Sequence, residues 1–153
     1  MMKYEIRSPK KSEIPELIKL SQNVTNYNNR QYLPEGMVNE FYNSQDLENE
    51  IIDNFSTMKV LIQNDEIIGI INFMANLLDM LMIKPKYQGT DAGYYLLNNE
   101  MNKVLKTYQV IYLEVFSTNF HSRKFYERFG FKKYDEEKIP GLVVKISKYK
   151  FSR

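Results

Sequence analysis

The chain has 153 residues, of which 43% are hydrophobic and 26% charged, with 12 Tyr and 9 Phe. That is the length and apolar content of one globular domain rather than of a disordered chain. Lys plus Arg against Asp plus Glu is 21 to 19, a formal net charge of +2, too weak a field to point to a nucleic acid or a membrane surface. There is no cysteine, which excludes disulfide scaffolds, thiolate zinc sites and cysteine nucleophiles. The first residues alternate charged and apolar types, unlike a secretory leader, so a cytoplasmic setting is expected.

Alternation over residues 3–8 predicts a half-buried strand with Tyr4 and Ile6 on one face, stopped by Ser8-Pro9. A helix follows, with Ser12 as its cap, Pro15 in the first turn and Ile14, Leu17, Ile18 and Val24 along one face. It is expected to end between Asn23 and Asn26. Residues 25–43, rich in Asn and Tyr and broken by Pro34 and Gly36, show no sustained period and read as a loop with a short helix over 37–42. Leu47, Ile51, Ile52 and Phe55 mark a second amphipathic helix capped by Ser44.

The apolar run 67–83 carries Asp79 and falls short of the roughly 20 residues of a membrane span. With turns at Asn64-Asp65 and Ala75-Asn76 it reads as part of a three-stranded antiparallel meander over 58–84. A loop at 89–93 leads into a long helix through Ala92, Leu96, Leu97, Met101, Val104 and Leu105. Residues 109–116 return as a strand, a helix carries Phe125, Tyr126 and Phe129 to a stop at Gly130, and strands at 131–138 and 142–150 flank Pro140-Gly141. These last strands offer a sheet edge for pairing in a homodimer. The order predicts one α/β (α+β) domain, with a mixed, mostly antiparallel sheet of about seven strands flanked by about four helices.

One junction points to chemistry. The strand ending near Lys84, the segment KPKYQGTDAG and the helix after it place free backbone N–H groups and a positive helix end at the sheet's edge, which suits a phosphate. Neither the nucleoside-triphosphate loop nor the three-glycine dinucleotide fingerprint is present, so another anionic cofactor is called for. A metal site has no support, because the carboxylates show no ligand spacing and His121 is the single histidine.

The segment LMIKPKYQGTDAGYYLL, followed by EVFSTNFHSRKFYERFGFKKY, resembles the GNAT superfamily of acyl-CoA-dependent N-acyltransferases. Gln88, Gly89 and Gly93 match the superfamily's first motif, a strand, a loop [QR]-x-x-G-x-[GA] and a helix. Asn119, Phe125, Tyr126, Gly130 and Phe131 match the second, and together the motifs span residues 77–135. The resemblance implies a GNAT fold and an N-acetyltransferase that uses acetyl-CoA as cosubstrate, by direct attack of a primary amine and with no covalent enzyme intermediate.

It also implies roles. Backbone amides of Gln88, Gly89, Thr90, Asp91, Ala92, Gly93 and Tyr94 would hold the cofactor pyrophosphate, and the strand end at Met82 and Ile83 the pantetheine and thioester carbonyl. Asn119 would touch the cofactor or cap its own helix, Arg123 and Lys124 would meet the terminal phosphate, and Tyr126 would be the general acid. Asp79 or Glu114, on the two central strands, would be the base. Lys84 and Lys86 flank the loop, and His121 has no assigned role. The acceptor, a small-molecule or peptide amine, would be chosen by residues 25–55, where Tyr27, Tyr32, Tyr42, Glu35, Glu40, Glu48 and Glu50 suit a cation. Asp91 departs from the pattern, since many members carry glycine there. A carboxylate beside a pyrophosphate is unfavourable unless it turns outward or caps the helix. That departure keeps open a noncatalytic acyl-CoA-binding or sensing module, and an interaction domain without a cofactor site.

Overall fold

The computed structural model describes residues 3–34 and 44–153. The short helix expected over 37–42 and the acceptor-site residues Glu35, Glu40 and Tyr42 lie outside the described residues, as does the capping role of the Ser44 side chain. Strand β1 (Glu5–Arg7) leads through a 3₁₀ turn to helix α1 (Ile14–Tyr32), and α2 (Ser44–Asn54) follows. The meander is β2 (Lys59–Gln63), β3 (Glu66–Met74) and β4 (Leu77–Ile83). Its hairpins close where Asn64, Asp65 and Ala75 take positive φ, the left-handed backbone that matches strand twist in tight turns. The apolar run 67–83 is therefore two strands, and no helix among the described residues is long and apolar enough to cross a membrane. Helix α3 (Ala92–Val104), β5 (Val110–Phe116), α4 (Phe120–Phe129), β6 (Lys132–Lys138) and β7 (Lys145–Ser152) complete the chain.

The seven strands form one sheet in the order β1-β2-β3-β4-β5-β7-β6. Leu17, Leu20 and Val24 of α1 and Ile51 of α2 cover one face against Val60, Ile70 and Met80. On the other face Leu96, Leu97 and Met101 of α3 and Tyr126 of α4 pack on Leu61, Ile71, Leu78 and Ile111. All neighbours are antiparallel except β4 and β5, which are parallel and share a single register pair, Leu77 with Tyr112. Asn76 fastens that end: its carbonyl accepts the Tyr112 amide at 2.9 Å and its Nδ2 donates to the Val110 carbonyl at 3.0 Å. Beyond this clasp β4 and β5 are unpaired, and the sheet is open between them.

A second irregularity sharpens the opening. In the β3–β4 ladder Asn72 faces Met80 while Phe73 faces Leu78, so Asp79 is an extra, bulged residue. The bulge breaks strand alternation: Leu78 packs on the α3–α4 side and Met80, two residues on, packs on the α1–α2 side.

Four expectations need correcting. Helix α1 runs to Tyr32 rather than ending at 23–26, because the helical face continues as Thr25 and Asn29, both buried, in place of apolar residues. Asn disfavours helix by roughly 0.6 kcal/mol per residue, and the packing of this face offsets it. The helix stops where Leu33 takes an extended conformation before Pro34. Ser12 is not the cap: it lies in the 3₁₀ turn, where the Glu13 carboxylate accepts the Lys10 amide at 2.7 Å and pairs with both Arg7 guanidinium N–H groups at 2.9 and 2.7 Å. Ile52 is 51% exposed and does not share the buried face of α2. Strand β7 starts at Lys145 and lies inside the sheet, so of these last two strands only β6, exposed along its whole length and rich in Lys and Glu, is an edge.

Candidate active site

The loop between β4 and α3 is shaped by side chains that bind back on it. Gln88 Nε2 donates to the Ile83 carbonyl at 2.9 Å and reaches Asn28 Oδ1 of α1 at 3.4 Å. Gly89 takes φ +81°, which a side chain would strain. The Thr90 hydroxyl accepts the Ala92 amide at 3.3 Å in the turn that leads into α3. Tyr95 is the first α3 residue whose amide turns back to Asp91, so Gly93 and Tyr94 lie in the first turn, where a helix leaves its donors without internal partners.

These residues border a groove of about 530 Å³. Gln88, Gly89, Thr90, Gly93 and Tyr94 form one wall and Ser122, Lys124, Phe125, Arg128 and Phe129 of α4 the other. A Cβ on Gly93 would stand 3.4 Å from the Phe125 ring, in van der Waals contact, and any longer side chain would press into the space between the two helix ends. Lys124 and Arg128, one turn apart, supply cationic heads. Unpaired helix amides on one wall and cations on the other fit a long, phosphate-bearing cofactor such as an acyl-CoA.

A second cavity, of about 330 Å³, occupies the split between β4 and β5. Thr25, Asn28 and Asn29 of α1, Glu50 of α2, Asp79 to Met82 of β4 and Leu113 to Phe116 of β5 line it. Asn28, Leu81, Ser122 and Tyr126 line both cavities and form the neck between them. Tyr126 is 8% exposed, and burial pushes its phenol above the ordinary range. Phe125 and Phe131 meet its ring edge to face, at 5.3 and 5.7 Å. Its hydroxyl has no hydrogen-bond partner among the described residues, whereas buried Tyr149 donates to Glu127 at 2.6 Å and accepts from Arg123 at 3.0 Å.

The residues expected at the site separate accordingly. Gln88, Gly89, Thr90, Gly93, Tyr94, Ile83 and Lys124 border the groove, and Tyr126 stands at the neck. Met82, Asp79, Glu114 and Asn119 border the inner cleft. Ala92 is fully buried and borders neither cavity. Asn119 caps α4 by accepting the Ser122 amide at 3.1 Å. Arg123 turns away from the groove to Tyr149 and to the Ser117 carbonyl at 2.8 Å. Lys84 is paired with Glu66 and Lys86 lies over the Tyr87 ring. Asp91 points outward, accepting Tyr4 Oη at 2.6 Å and Lys3 Nζ at 3.0 Å, and both partners hold its carboxyl below the usual range. Sequence reasoning missed Asn28, Ser122 and Arg128; their only sequence signal was a place one helical turn from Val24, Tyr126 and Lys124.

The family model described as an acetyltransferase (GNAT) domain matches residues 22–142. Among solved structures, a GCN5-related N-acetyltransferase from Rhodopseudomonas palustris superposes with a TM-score of 0.85 at 12% identity, over 100% of this chain and 98% of that one. The PaiA N-acetyltransferase from Thermoplasma acidophilum, in complex with coenzyme A, gives 0.77 at 23% identity over 99% and 100%. The ribosomal-protein-S18-alanine N-acetyltransferase from Escherichia coli gives 0.73 at 16% identity over 97% and 93%. No curated protein sequence matches the chain. With the family model covering most of the chain and the split sheet in place, the protein belongs to the GNAT acetyltransferase family.

Proposed function

We propose that the protein is an acetyl-CoA-dependent N-acetyltransferase that acetylates a primary amine directly. The observation that carries this reading is the neck: a groove suited to a phosphate-bearing cofactor and a carboxylate-lined cleft meet at Tyr126, whose hydroxyl is unspent. When bound, the cofactor supplies an activated acetyl thioester. The first-turn amides of α3 hold its phosphates, with Lys124 and Arg128 opposite. The unpaired edge of β4, left free by the splay from β5, offers backbone groups that align the acyl group with the neck. A phenol is protonated at neutral pH, and burial pushes that of Tyr126 further up, so it holds a proton to donate to a departing sulfur. The outward turn of Asp91 removes the charge conflict that motivated a sensing module.

Calorimetric titration with acetyl-CoA, CoA and ATP, followed by thiol release against an amine panel, tests this. The expected outcome is saturable binding of acetyl-CoA and CoA, binding of ATP at least about tenfold weaker, and thiol release with at least one amine. Binding with no release across the panel would favour the noncatalytic module.

A further inference from the structure

The inner cleft gathers Glu50 from α2, Asp79 from the β4 bulge and Glu114 from β5, with no Lys, Arg or His among its described lining residues. Carboxylates alone do not make a site, but Asn29 adds a separate observation. Its side chain lines the same cleft, the residue is only 9% exposed, and its Nδ2 has no partner among the described residues. Buried polar groups are rarely left unpaired; Nδ2 itself is closed off from solvent beneath the cleft surface, so a turn of the Asn29 side chain would bring it to an occupant of the cleft.

The carboxylates are held differently. Asn72, buried in the sheet, donates to Asp79 Oδ2 at 3.2 Å and is itself fixed by the Thr57 hydroxyl at 2.6 Å. Asp79 is therefore an oriented anion. The Glu50 carboxylate has no hydrogen-bond donor among the described residues, and burial with Asp79 nearby pushes it above the ordinary carboxylate range. A group that is half-buried, unpaired and beside a fixed anion is well suited to taking up a proton.

We propose, resting on the acetyltransferase reading, that Glu50 accepts the proton of the acceptor's ammonium group beside the fixed Asp79 anion, and that Asn29 contacts the rest of the acceptor. The acceptor is then a cationic primary amine without a carboxylate on the amine-bearing carbon, since a third or fourth anion in this cleft would be repelled. The groups facing Glu50 across the cleft are Asp79 of β4, Glu114 of β5 and Tyr126 of α4, while α1 presents Val24, Thr25, Asn28 and Asn29. In the step, one N–H bond breaks and an O–H bond forms on Glu50. The freed lone pair forms the C–N bond as the C–S bond breaks, Tyr126 gives its proton to the sulfur, and the nitrogen's second proton makes good that loss.

Steady-state kinetics with acetyl-CoA and a panel of alkylamines, diamines, amino acids and amino-acid amides test it. Glu50→Gln is expected to lower kcat at least about 100-fold and to remove the acidic limb of the pH profile of kcat/KM. Its CoA affinity, measured by calorimetry, stays within about twofold, which also shows that the variant folds. Glu50→Asp recovers part of the rate. Asp79→Asn moves the acidic limb to lower pH, because the neighbouring anion that raises Glu50 is gone. Amino acids turn over at least about tenfold less efficiently than their amides. Wild-type kcat and an unchanged limb in Glu50→Gln would overturn the role of Glu50 and leave the acetyltransferase reading standing. Equal turnover of amino acids and their amides would overturn the acceptor class. No thiol release by the wild type with any amine would overturn the reading and this inference with it.

Discussion

The groove proposed for the cofactor and the cleft proposed for the acceptor meet at one neck, yet they are built from different material. The loop wall of the groove is made of backbone: a left-handed Gly89, a glycine where two helix ends touch, and amides of one helix turn. Such a site constrains residues close together in sequence, and so it leaves a spacing that can be read. The cleft is made of side chains from α1, α2, β4, β5 and α4, far apart in the chain and brought together by the split sheet. Chemistry held that way leaves no local pattern, and the same fold can change its acceptor by changing a few side chains.

The largest effect should come from the backbone-built side. Gly93→Glu puts a side chain against the Phe125 ring, 3.4 Å from where its Cβ would stand, and an anion at the helix end that holds phosphate. CoA affinity is expected to fall on the order of 1,000-fold, about 4 kcal/mol, with far-UV circular dichroism unchanged. Undiminished binding would move the phosphate site elsewhere and dissolve the contrast between the two regions.

At the neck, Tyr126→Phe removes only a hydroxyl that has no hydrogen-bond partner among the described residues, so the fold loses little. Turnover should drop by about 100-fold while CoA binding stays within about twofold. Single-turnover thiol release checks it. A turnover matching the wild type would show that the sulfur leaves without help from this phenol.

The same contrast explains what could be read beforehand. The meander, the two motif helices and Gly130 as a stop were legible because local rules agree there: φ-positive turn residues, helical spacing and a helix end at glycine. The second half of α1 was not. Its inward residues are Thr25 and Asn29, so the apolar period ends where the helix begins to line a cavity, and a cavity-lining face carries the polar pattern of a loop. The bulge at Asp79 was invisible for a related reason, since a one-residue slip shows only in the pairing of β3 with β4.

Helix α1 also carries a pH dependence that tests how firmly the cleft is held. The Arg7 guanidinium and the Lys10 amide hold Glu13 down to about 2, against an ordinary 4.5. Because the folded value is depressed, the stabilisation is fully present above pH 4.5 and is lost as pH falls from there towards 2. Arg7→Leu should cost on the order of 2 kcal/mol at pH 7 and very little near pH 2, as read by urea unfolding at the two pH values. An equal difference at both would mean that Arg7 acts through packing rather than charge.

The smallest expected effect is the most pointed. Asp91 departs from the motif where the backbone matters most, yet its carboxylate bonds Tyr4 and Lys3 on the side away from the groove. A loop that binds through its amides is indifferent to a side chain that faces out, so Asp91→Asn should change CoA affinity by less than about twofold. Because Tyr4 is the stronger partner and still has an amide oxygen to donate to, the loop should also keep its shape. A gain of tenfold or more in calorimetry at low salt would show the carboxylate's field reaching the phosphates. The loop wall would then depend on a side chain as the cleft does, and the difference between the two regions would be one of degree.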